Sequence, residues 1–484
     1  MSHDIFRLGD QATRAAPLLG WRGAAIALLA AFVLCWPMLA TGGYLVYADT
    51  RDYILGGEII WEMILAILGN DMASVPTDVD PTGPEQIVSG DTGNTGPGFL
   101  LRSFIYSFYT LMAGAAIWPA GFAMLQSAMT LYILLALIGP EAASRPKILG
   151  AGFAAVAAVT TLPWFTAYMM PDLMAAAVLL YAAVLVRRFD ELDRRQCVII
   201  GAIATFAISA HYGHGPLAAA LFGAVLLWRL IRGRMTGAVA IAAILPVLFS
   251  PVANLGASSV ALEATSVTPL RLPILLARSI EDGPARWYLQ DACPEAPLAF
   301  CEAFGDTVPT NIAEFLWREN GIESLTPESM AKIREEEFLV LARTFQAYPL
   351  AQSISLFENA GLQLVRIGTG QMHSVTLAAD GRLIGPPSSR AEFMLETFDT
   401  VTPIATLIAA ITLLAMLVSG RMTRPEVEVL AVVVLGYVIN AGIFGGLSAP
   451  VDRYQSRIAW LLPALAVIFA ARHAGTVIRR RSPS

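Results

Sequence analysis

The chain has 484 residues, 56% of them hydrophobic and only 14% charged. Soluble domains carry about 25% charged residues, and the apolar residues here come in long runs, so the composition excludes an ordinary soluble protein and points to an α-helical polytopic membrane protein. The net charge of −6 decides little, because arginines cluster in short loops and acids in two long ones. No basic stripe is present, so no nucleic-acid partner is expected.

The segment before the first apolar run is long and mixed, and no small-residue cleavage site follows that run. The first span is therefore expected to be a retained signal-anchor. A spanning helix needs about 20 mostly apolar residues. Ten stretches qualify: 22–41, 119–139, 148–164, 169–187, 196–211, 214–232, 236–253, 401–420, 426–446 and 456–473. Cys35 and Cys197 fall in or beside spans and read as small apolar packing residues. The apolar stretch 100–118 is ambiguous by itself.

Charge resolves it. Lys and Arg mark cytoplasmic loops, and the basic loops are Arg145 with Lys147, Arg187 to Arg195, Arg229 to Arg234, Arg421 with Arg424, and Arg479 to Arg481. All of them fall on one side only if 100–118 does not cross. Ten spans plus one surface-lying helix are then expected, with both termini on the cytoplasmic side of the membrane. The organisation expected is a transmembrane core over 1–253 with a first outer loop at 42–118. An extracytoplasmic α or α+β domain follows at 254–400, and C-terminal transmembrane helices occupy 401–484.

The far side gathers the chemistry. The stretch TGGYLVYADTRDY leaves the first span with Asp49 and Asp52 at the membrane surface, where ionisable groups are costly and mark functional sites or helix caps. Residues 54–69 read as a surface or scaffold helix, and 70–98 as a loop rich in Asp, Gly, Pro and Thr that serves as gate or linker. Arg102 opens the surface helix, placed either to hold a lipid phosphate or to snorkel to water. Asp172 follows Pro171 at a span start, as cap or as functional acid. His211 and His214 in HYGHG lack the partners of a metal site, so they read as donors to phosphate or as interfacial packing. Cys293 and Cys301 are expected to pair, because cysteine pairs on that side of the membrane oxidise. A helix is predicted over 327–345, its acidic run a solvated face. Arg453 breaks the positive-inside pattern, and Tyr454 follows it. No phosphate-binding loop, dinucleotide fingerprint or nucleophile elbow occurs.

This layout resembles the GT-C superfamily of membrane glycosyltransferases, in particular the lipid-A aminoarabinose and protein mannosyl transferase branch. The features that carry it are Asp49 four residues before Tyr53, the stretch Arg102-Ser103-Phe104-Ile105-Tyr106 ahead of the next span, Asp172 opening an out-to-in span, and Asp452-Arg453-Tyr454 leading into WLLPALAVIFAAR. The sequence departs from the branch in lacking an acid beside Asp49 and in carrying its large domain between spans.

The resemblance implies an inverting transfer of a sugar from a polyprenyl-phosphate donor to a glycan, lipid or protein acceptor. Asp49 would be the general base, with Asp172 orienting the acceptor and Asp52 as the fallback base. Arg453, with Arg102 and His211 or His214, would bind phosphate, and Tyr53 and Tyr454 would contact sugar or phosphate. A divalent cation is compatible with this chemistry, although no ligand spacing calls for one. The rival readings are a transporter or flippase for lipid-linked sugars and a non-catalytic membrane assembly partner.

Overall fold

The structure is a computed structural model that describes residues 19–67, 102–262, 272–377, 383–384 and 389–481, apart from positions 116, 294, 306 and 319. The gate or linker expected over 70–98 lies outside the described residues. The protein is an α-helical membrane protein. Seven described helices are long and apolar enough to cross a bilayer: Trp21–Thr41, Pro119–Leu137, His214–Ile231, Gly237–Gly256, Ser389–Val418, Arg424–Gly446 and Asp452–Ala474. The other three expected spans form shorter helices, Pro146–Val159, Leu173–Arg187 and Arg194–Ser209. The ambiguous stretch yields a helix of 9 residues, Phe104–Met112, about 14 Å long and well short of a bilayer core. Pro119 starts the next helix directly after Trp118, where its missing N–H costs nothing.

The centre of the bundle is the helix Leu173–Arg187. All its residues through Val186 are buried. Through Val186 it is built from Ala, Leu, Val and one Met with one Tyr, so that stretch has no polar face to offer water. The small side chains at Ala175 to Ala177 and at Ala182 and Ala183 let neighbours approach closely. The helices Pro119–Leu137, Arg194–Ser209, His214–Ile231 and Arg424–Asn440 pack around it. A Cβ at Gly436 would stand 2.7 Å from Leu179, so glycine is what that approach requires. The one polar side-chain atom in its buried stretch, the Tyr181 hydroxyl, has a defined task. Pro246 lacks an N–H and leaves the Ala242 carbonyl without a helical donor, and the Tyr181 hydroxyl donates to it at 2.9 Å.

The segment after the seventh expected span folds into helices with a core of its own around Leu276, Ile280, Phe300, Phe315 and Val340. Glu337 accepts from the N–H groups of Leu275 and Leu276 and so satisfies the start of the helix Ile274–Asp282. Cys293 and Cys301 form a disulfide. The predicted helix over 327–345 is Pro327–Ala347. Strand β1, Tyr44–Val46, pairs antiparallel with β2, His373–Leu377, which pairs with β3, Leu383–Ile384. The first outer loop and the insert are thus joined by a sheet whose pairing spans most of the chain. The final long helix of the insert region begins at Ser389, well before the apolar run at 401, and extends to Val418.

The helix Pro349–Val365 lies across the segment Ala441–Gly446, which is wound as a π-helix. A Cβ at Gly445 would lie 2.3 Å from Gln363 Cβ and 2.9 Å from the Asn359 carbonyl oxygen, whereas one at Gly442 would meet nothing within 4 Å. Gly445→Ala is expected to destabilise the protein by roughly 1–3 kcal/mol through overpacking, and Gly442→Ala to leave it unchanged or slightly stabilised. Thermal unfolding of the two purified variants beside the parent checks this; equal transitions would remove the close helix crossing.

Candidate functional site

Charge is divided between the two ends of the central helix. At its C-terminal end Arg188 pairs with Glu191, Arg229 with Asp190, Arg234 with Glu428, and Arg472 with Glu426. At its N-terminal end lie Asp49, Asp52 and Asp172 with Arg102, Arg453 and Arg457.

The sequence folds locally to make this second cluster. The turn after β1 is closed by Thr50, whose side-chain oxygen accepts from the Tyr47 N–H at 3.0 Å while its hydroxyl donates to the Met169 carbonyl at 3.2 Å. The Met169 N–H donates in turn to the Leu45 carbonyl. Those bonds fix the first outer loop beside the turn that precedes Asp172. Asp49 then enters the first turn of the helix Ala48–Ile67. Its Oδ1 accepts from Arg102 Nη2 at 2.6 Å, and its Oδ2 stands 3.8 Å from Arg453 Nη2. Asp52, one turn later, accepts from Arg102 Nε at 3.2 Å.

Arg102 therefore turns inward to two carboxylates. It neither snorkels to water nor leaves its fork free for a phosphate, because the fork matches carboxylates at both ends. Tyr212 anchors the same residue by donating to its carbonyl at 2.9 Å.

Asp172 settles between the two roles open to it. It sits at the N-cap of the central helix, yet its side chain makes no capping bond. Its Oδ1 instead faces Arg457 Nη1 at 3.4 Å, with the two side chains 3% and 0% exposed. Arg457 also donates to Asn440 Oδ1 at 3.0 Å and stacks over Phe444 at 3.9 Å. Asn440 holds its position by donating to the Tyr454 carbonyl and to Gln455 Oε1. The π-helix begins directly after Asn440, and windings of that kind recur at functional sites. Arg453 lies one turn before Arg457, stacked over Tyr47 at 4.0 Å and 5.1 Å from Tyr454. Its Nε and Nη1 are buried and, like Arg457 Nε, make no hydrogen bond of ordinary geometry, the buried Tyr168 hydroxyl being the neighbour that the Arg453 guanidinium interacts with. Donors left unused beside a cluster of fixed charges are available to an anion.

The histidines come to the same end of the bundle. Their rings are 5.1 Å apart, and both pack on Phe444. His211 Nδ1 accepts from the Gly213 N–H, and His214 Nδ1 meets the Ala207 carbonyl at 2.8 Å. Their contacts are those of turn closure and packing, and a Cβ at Gly213 would stand 2.5 Å from Phe444. Tyr53 is buried with its ring edge-on to Tyr106 at 4.9 Å, so it supports the floor of the cluster rather than lining a surface. Tyr454 packs on Phe444 at 4.9 Å. Among the described residues no three His, Cys, Asp or Glu side chains gather as a metal site would need.

Burial raises the Asp52 carboxyl above the ordinary aspartate value, outweighing the pull of Arg102 in the other direction, and the charge of Asp49 adds to the rise.

Several members were not singled out in the sequence: Arg457, Asn440, Tyr47, Thr50 and Gln371, whose Oε1 accepts from the Arg453 N–H. A signal existed for one of them. Arg457 stands four residues after Arg453 and so on the same helix face, inside a span where arginine is expensive. Comparison with protein families, with curated proteins and with solved structures finds no match.

Removing one partner of a buried ion pair strands the other and costs about 3–5 kcal/mol. Asp172→Asn is therefore expected to lower the yield and unfolding temperature sharply, and Asp172→Leu combined with Arg457→Met to recover most of the loss. Thermal unfolding of the three proteins in detergent is the measurement; a stable Asp172→Asn would mean that the pair does not hold the bundle together.

Proposed function

We propose that the protein is a membrane glycosyltransferase of the GT-C type, which moves a sugar from a polyprenyl-phosphate donor to an extracytoplasmic glycan, lipid or protein acceptor. The reading includes ten crossings with the three shorter helices counted as spans. Both termini are cytoplasmic, and the cluster lies on the outer side of a bacterial inner membrane. The segregation of charge to the two ends of the bundle supports it, since the basic loops gather at the end away from Asp172.

The observation that carries the proposal is the arginine pair Arg453 and Arg457, with buried donors that make no ordinary hydrogen bond, Arg453 standing 3.8 Å from the Asp49 carboxylate on the helix Ala48–Ile67. Phosphate departure from an anomeric carbon needs both groups in one place. The acceptor hydroxyl oxygen bonds to the anomeric carbon on the face opposite the phosphate, and its proton passes to Asp49. The carbon–oxygen bond to phosphate breaks, and the electron pair leaves with polyprenyl phosphate. Arg453 and Arg457 take up the charge that develops there. Arg102 holds Asp49 and Asp52 in place, and Asp172 holds Arg457. A transporter would place its charges near the midplane of broken helices, whereas these stand at helix ends.

Asp52 is a second candidate base, favoured by its raised pKa, because a general base works best when its pKa approaches the ambient pH. Membranes holding the parent, Asp49→Asn or Asp52→Asn are incubated with a panel of labelled polyprenyl-phosphate sugars at matched expression. Label is expected to leave the lipid with the parent and to fall by about 10²-fold or more with the base removed. If Asp52 is the base, the parent rate declines on acidification at a pH above the ordinary aspartate range, where the carboxylate takes up its proton. Loss of transfer in Asp49→Asn with an unchanged acid limb in Asp52→Asn assigns the base to Asp49. A parent that binds the lipids and transfers nothing returns the protein to the transporter or assembly-partner reading.

A further inference from the structure

The helix Pro349–Val365 is amphipathic in the reverse of the usual sense. Three of its polar residues, Gln352, Asn359 and Gln363, face the protein. Gln352 Oε1 accepts from the Ser279 hydroxyl at 2.5 Å. Asn359 Nδ2 donates to both carboxylate oxygens of Asp282, at 3.0 and 2.9 Å. Gln363, with no exposed surface, donates to the Val451 carbonyl and accepts from the Val451 N–H, each at 2.9 Å. The outward face carries Leu350, Ile354, Phe357, Gly361, Leu364 and Val365, which recur at three- and four-residue helical spacing, with the exposed Glu358 at its flank. Leu350 is 72% exposed, Phe357 74% and Val365 71%.

A surface helix of a water-soluble domain directs its apolar stripe to the core and its polar stripe outward. This helix would expose a continuous apolar stripe to water while burying amides that cost free energy unless bonded. The pattern is stable only if the surroundings are themselves apolar.

What those surroundings are follows from where the helix lies. Leu356, on its inner side, contacts Gly446 at the end of the candidate span Arg424–Gly446. The outward positions Val434, Val438 and Leu447 on and just beyond that span are also exposed and apolar. The stripe therefore continues the surface that the spans present to acyl chains. Tyr348 stands at one end of the helix and Arg366 at the other, bonded to the Pro450 carbonyl. Residues of these types prefer the headgroup level.

We infer that the helix Pro349–Val365 lies in the outer leaflet of the membrane with its apolar face among the lipid acyl chains. Its polar face forms a wall that braces the segment leading into Arg453. The Gln363–Val451 bonds make that link direct, since Val451 precedes the helix that carries Arg453 and Arg457.

The test uses the full chain in nanodiscs. Cys35 and Cys197 are first replaced by Ser, and single cysteines are placed at Leu350→Cys, Ile354→Cys and Phe357→Cys, with Lys332→Cys on the helix Pro327–Ala347 as the water-facing reference. Each carries a bimane label. Lipid-borne nitroxides on the acyl chain are expected to quench the three labels several-fold more strongly than the reference label, and aqueous iodide several-fold less. Iodide quenching equal to that at Lys332 would overturn the inference. So would protection from both quenchers, which would mean that a second copy of the chain or another protein covers the face. Testing three positions singly keeps the result readable if one variant fails to fold. The readout is independent of any sugar transfer.

Discussion

The ion pair between Asp172 and Arg457 is the constraint on which the arrangement depends. Asp172 stands at the N-terminal end of a helix whose side chains through Val186 are almost all apolar, and the Arg457 side chain has no exposed surface. Neither charge tolerates isolation in such surroundings. Their pairing fixes the angular position of the last candidate span against the central helix. It also forces the neighbouring groups to comply: Asn440 must offer its oxygen to Arg457, and Phe444 must lie flat beneath the guanidinium. The π-winding after Asn440 adds a residue to the turn and lets Gly445 and Gly446 meet the helix Pro349–Val365 on the other side.

Around that pair the site is assembled from parts of the chain far apart in sequence. The first outer loop brings Asp49 and Asp52. The turn before the helix Phe104–Met112 brings Arg102, and the helix Pro349–Val365 and the turn after it bring Gln363 and Gln371. Backbone-directed bonds do most of the joining: β1 with β2, Thr50 with Met169, and Gln363 with Val451. Bonds of that kind position a loop without spending charged side chains on the task, so the arginines remain in reach of one another's carboxylates. Three cations and three anions share a small, partly buried volume, and the cluster is close to neutral before any substrate arrives. An incoming phosphate would add negative charge to a place where donors are already fixed and need no reorganisation.

The two ends of the bundle obey different rules. At the basic end the ion pairs lie at the helix termini and several partners are half exposed, as with Asp190 and Arg234. Such pairs add modest stability and set orientation. At the other end, around Asp172, arginines are buried and stacked on aromatic rings, where a cation–ring contact is worth more because it is desolvated.

The sequence by itself determined the membrane class, the positions of the apolar helices and the choice of Asp49, Asp52, Asp172, Arg102 and Arg453 as residues to watch. Each follows from local rules: runs of apolar residues, the cost of charge near lipid, and the positions of arginines. What the sequence could not supply was pairing. Whether Asp172 caps its helix or binds a cation depends on Arg457, which lies 285 positions away. Whether Arg102 faces lipid or carboxylates depends on the path of a loop pinned by Thr50. The shortness of three expected spans and the reversed face of Pro349–Val365 are likewise products of packing, because a helix's surroundings, and not its own residues, decide which of its faces is the inside.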